Sequence, residues 1–189
     1  MTKTALRNIY KEKRKSLSQK DITILNDLIL INFQKIVVPF LSCVHTYMPS
    51  EKLGEADTFH IVRFLEFKNP GIKIVVPKID IESGDMHHFH FTDDMDMIDN
   101  LFGIPEPTGG SKIVTTEIDL VLVPLLAFDK NGYRVGYGKG YYDRFLQTCR
   151  SNVLKIGLSF FEAEEEISDI NQFDISLNYC VTPQRIYEF

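Results

Sequence analysis

At 189 residues and 44% hydrophobic content, the chain can bury a sizeable core, and residues 1–189 are expected to form a single domain. A formal net charge of −5 argues against a general nucleic-acid or membrane-surface binder, which is usually basic. No apolar run is long enough to span a membrane, the N-terminus lacks the apolar centre of a signal peptide, and Cys43, Cys149 and Cys180 form no Cys-x-x-Cys pair, so reduced thiols and a cytoplasmic location are expected.

Residues 3–16 are predicted to form a basic helix with Leu6, Ile9 and Tyr10 on one side. On composition alone its charges, among them Lys3 and Arg7, form a solvated face. Ser18 and Asp21 have the spacing of a capping box, with Leu17 and Ile22 placed as a hydrophobic staple. The helix they open is predicted to run to about Val37, burying Ile22, Leu25, Ile29, Phe33 and Ile36, with Pro39 beyond it. Residues 43–48 read as a strand and 49–57 as a polar loop. The next helix starts at Asp57 or Thr58, with Phe59, Val62, Phe64 and Leu65 as its apolar contacts. A loop beyond the C-terminal end of a strand is a common ligand position in open α/β sheets.

Residues 72–77 form a second buried strand in this reading, and 85–91 alternate like a strand. His88 and His90 fall on one face and His87 on the other, without a cysteine or well-spaced carboxylate to complete a metal set, so an exposed strand is expected. The acidic stretch 93–99 is expected to be a solvated turn or short helix. Pro105 and Pro107 stiffen the loop 102–107. A third strand covers 117–123, a tight reversal 129–132 and a further strand 153–158, while the acidic run 162–166 has no nearby basic partner and is expected to face solvent. Alternating strands and helices predict a three-layer α/β sandwich with a mainly parallel central sheet and antiparallel additions at 85–91 and 129–132.

The densest motif is Arg134-Val135-Gly136-Tyr137-Gly138-Lys139-Gly140-Tyr141-Tyr142-Asp143-Arg144, between an apolar run at 120–126 and a helix signal at Phe145 and Leu146. Glycines permit positive φ and let backbone N–H groups approach an anion. A helix N-terminus adds unpaired donors and partial positive charge, Lys139 a full charge, and Asp143 a carboxylate placed to help hold magnesium on a bound phosphate. The spacing is neither a Walker loop, since no Ser or Thr follows the lysine, nor the dinucleotide fingerprint. These residues alone leave two readings open, a phosphate cradle or a glycine-rich turn between strand and helix.

Residues 128–144 closely resemble the signature of the 5-formyltetrahydrofolate cyclo-ligase (methenyltetrahydrofolate synthetase) family. Shorter stretches are similar to other landmarks of that family: Lys3-Thr4-Ala5-Leu6-Arg7, Gly54-Glu55-Ala56-Asp57-Thr58, the segment 102–107 and the segment 173–182. The resemblance implies the same fold, ATP as co-substrate, Mg²⁺ as metal, and conversion of 5-formyltetrahydrofolate to 5,10-methenyltetrahydrofolate with release of ADP and phosphate. It implies that Lys3, Arg7 and Arg134 form a cationic clamp with Lys139 and the backbone of Gly136, Tyr137, Gly138 and Gly140. Glu55 would orient the folate in a pocket lined by Met48, and Lys78 would reach the ligand. Tyr141 and Tyr142 would stack on the pterin, close the pocket or fill the core. Asp143 and Asp174 would hold Mg²⁺; where the family often has an aspartate four residues after the latter, this chain has Asn178.

Without the resemblance, Glu55 is simply a favourable charge at a helix start. Catalytic roles are assigned to Lys139, Arg134 and Glu55, small molecules are the expected partners, and a monomer is expected. Two other classes remain: an ATP-independent enzyme on a similar scaffold, such as a sugar-phosphate isomerase, and a non-catalytic folate or nucleotide binder. Lys3, Glu55, Lys139 and Asp143 occurring together speak against the second.

Overall fold

The computed structural model describes residues 1–100 and 103–189; Phe102, the first residue of the proline-stiffened segment, lies outside the described residues. Helix α1 (Lys3–Lys15) is capped by the Thr2 side chain, and Lys13, Arg14 and Lys15 in its last turn complement the helix dipole. Leu6 and Tyr10 are buried as expected, but Ile9 is 38% exposed and the further buried position is taken by Arg14. Helix α2 (Gln19–Phe33) opens on the predicted capping box. It stops short of Val37 because the chain tightens there: Lys35 and Ile36 donate to carbonyls three residues back, and β-branched residues then lead into Pro39.

Strand β1 (Cys43–His45), a 3₁₀ turn at Glu51–Leu53, helix α3 (Phe59–Lys68), β2 (Lys73–Ile79) and β3 (Met86–His90) follow. In α3 Ile61 and Leu65 are the buried residues, and Phe59, expected inside, is 45% exposed. The stretch expected to be an acidic turn and a stiff loop is instead an antiparallel ribbon of β4 (Met97–Asp99) and β5 (Pro105–Pro107). The prolines permit this by alternating. Thr108 donates to Asp96 and Asn100 to Ile104, so the hydrogen-bonded pairs fall at even positions and the missing proline N–H groups fall between them.

A 3₁₀ turn at Thr115–Glu117 leads into β6 (Leu120–Val123). Strands β7 (Ala127–Phe128) and β8 (Arg134–Val135) form a short antiparallel ribbon around the predicted reversal. Helix α4 (Tyr141–Thr148), β9 (Leu154–Leu158), β10 (Tyr179–Val181) and β11 (Ile186–Glu188) complete the chain.

The central sheet has seven strands in the order β11-β10-β9-β6-β1-β2-β3. The inner pairings are parallel, and β3 and β11 are antiparallel edges. One face buries Val44, Leu120, Leu122 and Ile156 with Ile29 and Phe33 of α2 and Ile61 and Leu65 of α3. The other buries Val75, Val121 and Val123 with Phe145 and Leu146 of α4. This is the predicted three-layer α/β sandwich. Leu6 and Tyr10 of α1 pack on the β7–β8 ribbon, beside Leu126, Ala127 and Val135.

Two surface expectations are overturned by contacts distant in sequence. His88 is buried, only 7% exposed, because α4 covers the face it shares with His45. Glu165 and Glu166 of the acidic run are exposed as expected, but the run is not without partners: Glu164 accepts from Tyr10 at 2.7 Å, Glu165 pairs with Lys130 at 2.6 Å, and Glu162 pairs with Arg185 at 3.0 Å. Cys43, Cys149 and Cys180 are unpaired thiols.

Candidate active site

The chain leaves β1 through α3 toward β2 on one side, and leaves β6 through α4 toward β9 on the other. The crevice at the C-terminal ends of β1 and β6 is therefore the switch point at which open α/β sheets bind ligands. The loop carrying Glu55 follows β1, the glycine loop follows the β7–β8 ribbon beyond β6, and α1 lies against that ribbon.

The glycine loop has the form of an anion cradle. Gly138 (φ +96°) and Gly140 (φ +70°) adopt left-handed backbone, and Gly140 caps the N-terminus of α4 without a side-chain bond. None of the backbone N–H groups of residues 136–140 donates to another described residue. A run of unspent donors running into a helix N-terminus is a strong arrangement for phosphate. The Lys139 side chain is exposed, and its Nζ has no hydrogen-bond or ion-pair partner among the described residues. Arg7 lies across the loop: its Nε donates to Gly136 O at 2.9 Å, and a Cβ on Gly138 would stand 3.2 Å from the Arg7 Cζ.

Lys3 Nζ donates to Asp174 Oδ2 at 2.5 Å, so these two predicted residues meet each other. Asp174 and Asp143 line one cleft of about 480 Å³ together with Gly140 and Arg144. Asp143 Oδ1 accepts from Arg134 at 2.9 Å and from the Ile175 N–H at 3.1 Å, while Asp174 Oδ2 also accepts from the Asn171 N–H at 2.7 Å. The second oxygen of each carboxylate carries none of these bonds. Among the described residues no group of three or more His, Cys, Asp or Glu could hold a metal alone. The donor set instead fits magnesium, which is commonly held by one or two carboxylates plus substrate phosphates. Asn178 lies elsewhere, exchanging bonds with the Lys155 backbone at the sheet.

Arg134, expected in the cationic clamp, is buried beneath the loop. Its side chain is 5% exposed, with Nη2 on Asp143 and Nη1 on Ile175 O at 2.6 Å. Burial pulls its pKa down, and the charges of Asp143 and Asp174 oppose that shift.

Glu55 accepts from the Ser50 N–H at 3.0 Å and from the Tyr137 hydroxyl at 2.9 Å. Burial raises its pKa, and the Ser50 N–H, the Tyr137 hydroxyl and nearby Arg14 draw it back down. Met48 is half-buried, three residues beyond the end of β1 in the same segment. The Tyr142 hydroxyl is buried without a partner among the described residues, its ring packed on His45 and Phe145, and burial raises its pKa. Tyr141 carries the Arg144 guanidinium over its ring at 5.2 Å. Lys78 is turned to the β4–β5 ribbon, donating to Thr108 O at 2.9 Å.

Arg14, not among the site residues expected from the sequence, belongs to the same cluster. It is 6% exposed and donates to Tyr137 Oη at 3.0 Å, to Leu53 O at 3.4 Å and to Leu125 O. The signal for it was present, since Leu6, Tyr10 and Arg14 fall four residues apart along one helix face and a cation in an apolar stripe needs a buried partner.

A model of the 5-formyltetrahydrofolate cyclo-ligase family matches residues 2–183. The chain belongs to the 5-formyltetrahydrofolate cyclo-ligase family. A relative from Mycoplasma pneumoniae named 5-formyltetrahydrofolate cyclo-ligase is 31% identical over 189 residues, covering 97% of this chain and 100% of its own. Two solved structures of 5,10-methenyltetrahydrofolate synthetases share the cyclo-ligase fold. That from Aquifex aeolicus has a TM-score of 0.79 at 27% identity, covering 100% of this chain and 93% of its own. That from Mycoplasma pneumoniae has a TM-score of 0.76 at 24% identity, covering 97% and 99%. Family membership makes the chain an enzyme of cyclo-ligase type. No helix among the described residues is long and apolar enough to cross a membrane.

Proposed function

We propose that this chain uses ATP and Mg²⁺ to close 5-formyltetrahydrofolate to 5,10-methenyltetrahydrofolate, releasing ADP and phosphate. The observation that carries the reading is the run of free N–H groups at residues 136–140, with Arg7 laid over it and Lys139 beside it. An ATP-independent isomerase would not need so many donors beside two carboxylates.

A formyl oxygen is a poor leaving group. Transfer of the γ-phosphoryl group to it forms an O–P bond, breaks the γ-phosphate's bond to ADP and creates a good leaving group. N10 then attacks the formyl carbon, phosphate departs with the former formyl oxygen, and the N10 proton is released. The protein's task is alignment and charge compensation. The loop N–H groups, Lys139, Arg7 and Lys3 hold the phosphates, with Lys3 shared between them and Asp174. Asp143 and Asp174 hold Mg²⁺, directly or through water, where it offsets phosphate charge when bound. Arg134 serves this site by fixing Asp143. Glu55 accepts from the pterin N–H groups, and Met48, in the same segment after β1, lines the pocket. Tyr141 opens α4 beside the glycine loop, and Tyr142 packs in the core beneath it on His45 and Phe145. We read residues 1–189 as one domain working on small molecules.

The methenyl product carries a conjugated amidinium that the substrate lacks, so its absorbance reports the reaction. A rise requiring both ATP and Mg²⁺ is expected. No rise with nucleotide binding intact would favour a binding-only paralogue, and no nucleotide binding would reduce the glycine loop to a turn.

A further inference from the structure

The glycine loop, the β1 loop and α1 meet at one side chain that neither phosphate binding nor metal binding uses. We propose that Arg14 is a positioning residue: it orients the Tyr137 hydroxyl from beneath the glycine loop and through it holds Glu55 as an aligned hydrogen-bond acceptor for the substrate. The proposal rests on the reading of Glu55 as the folate-facing carboxylate.

Proton accounting fixes the direction of the relay. A guanidinium only donates, and a phenol has a single proton. Arg14 Nη1 donates to Tyr137 Oη at 3.0 Å, so the phenol proton is left for Glu55 Oε1, 2.9 Å away. The other carboxylate oxygen takes the Ser50 N–H at 3.0 Å. Both oxygens of Glu55 are thus held by one bond each, and each keeps a lone pair for an incoming N–H. Arg14 is itself anchored on both walls of the crevice, at Leu53 O in the loop after β1 and at Leu125 O just beyond β6.

Charge supports the same arrangement. Among the described residues Arg14 makes no ion pair and its buried Nε has no hydrogen-bond partner. A buried charge lacking an opposite charge is costly. The carboxylate reached through Tyr137 is the compensation that the geometry offers, and Arg14 in turn favours the ionised form of Glu55. The ionisable groups facing Glu55 are Arg14 from α1, Tyr137 from the glycine loop, Tyr47 beyond β1 and Tyr142 from α4. Of these only Arg14 is charged at neutral pH.

The test compares Arg14→Met, which removes the charge and keeps bulk, with Tyr137→Phe, which keeps the charge and breaks the bridge. Carboxyl-¹³C glutamate labelling, with Glu55→Gln to assign the resonance, reports the Glu55 titration in substrate-free protein. The midpoint should rise in both variants and more in Arg14→Met. The acid limb of the kcat/KM profile should move with it, at about tenfold loss per pH unit of displacement. Arg14→Lys should restore part of the charge effect without the forked geometry.

An unmoved Glu55 midpoint in folded Tyr137→Phe and Arg14→Met, whatever happens to Tm, would overturn the proposal and leave Arg14 a packing residue. A moved midpoint with an unmoved kcat/KM limb would also overturn it, because the aligned carboxylate would then not serve the substrate. Absence of turnover in the unaltered protein would sink the catalytic reading instead, and the substrate-free titration detects that case separately.

Discussion

Replacing Lys139 by alanine should separate catalysis from stability. Its Nζ has no partner among the described residues and its side chain is exposed, so truncation removes no buried bond seen there. Surface changes of this kind stay within about 0.5 kcal/mol, or roughly 2 °C in Tm for a chain of this size. If Lys139 bears on the transferring phosphoryl group, its loss should cost ~2.7–4 kcal/mol of barrier stabilisation, a fall of about 10²–10³ in kcat. Arg134→Met supplies the contrast. That guanidinium is 5% exposed and bonded to both Asp143 and Ile175 O, and breaking so buried a pair should cost about 3 kcal/mol and lower Tm by roughly 6–12 °C. The assay is the ATP-dependent absorbance rise at saturating substrates, with calorimetry on the same preparations. A folded Lys139→Ala enzyme with near-normal kcat would refute the phosphate role, and a large loss of Tm would show that the lysine is structural.

Asp143→Asn should raise the magnesium concentration needed for half-maximal rate and also lower Tm, because the same carboxylate holds Arg134 and the Ile175 N–H; an unchanged magnesium titration would leave Asp143 only its structural bonds. Gly157→Ala should destabilise the core, since its Cβ would collide with Leu125 Cδ2 and stand 2.9 Å from Leu177 Cδ1; overpacking of about 1–3 kcal/mol is expected, and an unchanged Tm would mean that the core yields there. Burial holds the His45 pKa well below the usual range and that of His88 at about 4. The unfolded chain therefore binds more protons than the native one between about pH 6.5 and 4, and stability should fall as pH drops through that window. Chemical denaturation at stepped pH should show a shallower acid loss in His88→Phe; parallel curves would mean that other groups govern acid unfolding.

Periodicity and caps made much of the fold legible. The capping box at Ser18 and Asp21, the apolar run of β6 and the turn chemistry around Gly132 are local signals, set by residues a few positions apart. The glycine loop was legible for the same reason, because positive φ at Gly138 and Gly140 is a property of single residues. What escaped depends on partners far along the chain. His88 is buried because α4 closes over β3, and the acidic run 162–166 is paired because Tyr10, Lys130 and Arg185 arrive from three other segments. The β4–β5 ribbon formed where a turn and a stiff loop were expected, since prolines at alternate positions pass the ladder unharmed only if the register is right, and register is a property of the pair.

The site divides along the same line. The sequence by itself determined the three-layer architecture, the glycine loop between strand and helix and the family, because these rest on local conformational preference and on residue identity. Only the tertiary structure decided which charges are free and which are spent. Arg134 is bound to Asp143, Lys3 meets Asp174, Lys139 is left open, and Arg14 reaches Glu55 through Tyr137, a residue of a distant segment. The reason is physical: a charge far from its partner in sequence finds it only when packing brings the two together, and the cost of burying either one alone then holds the pair in place.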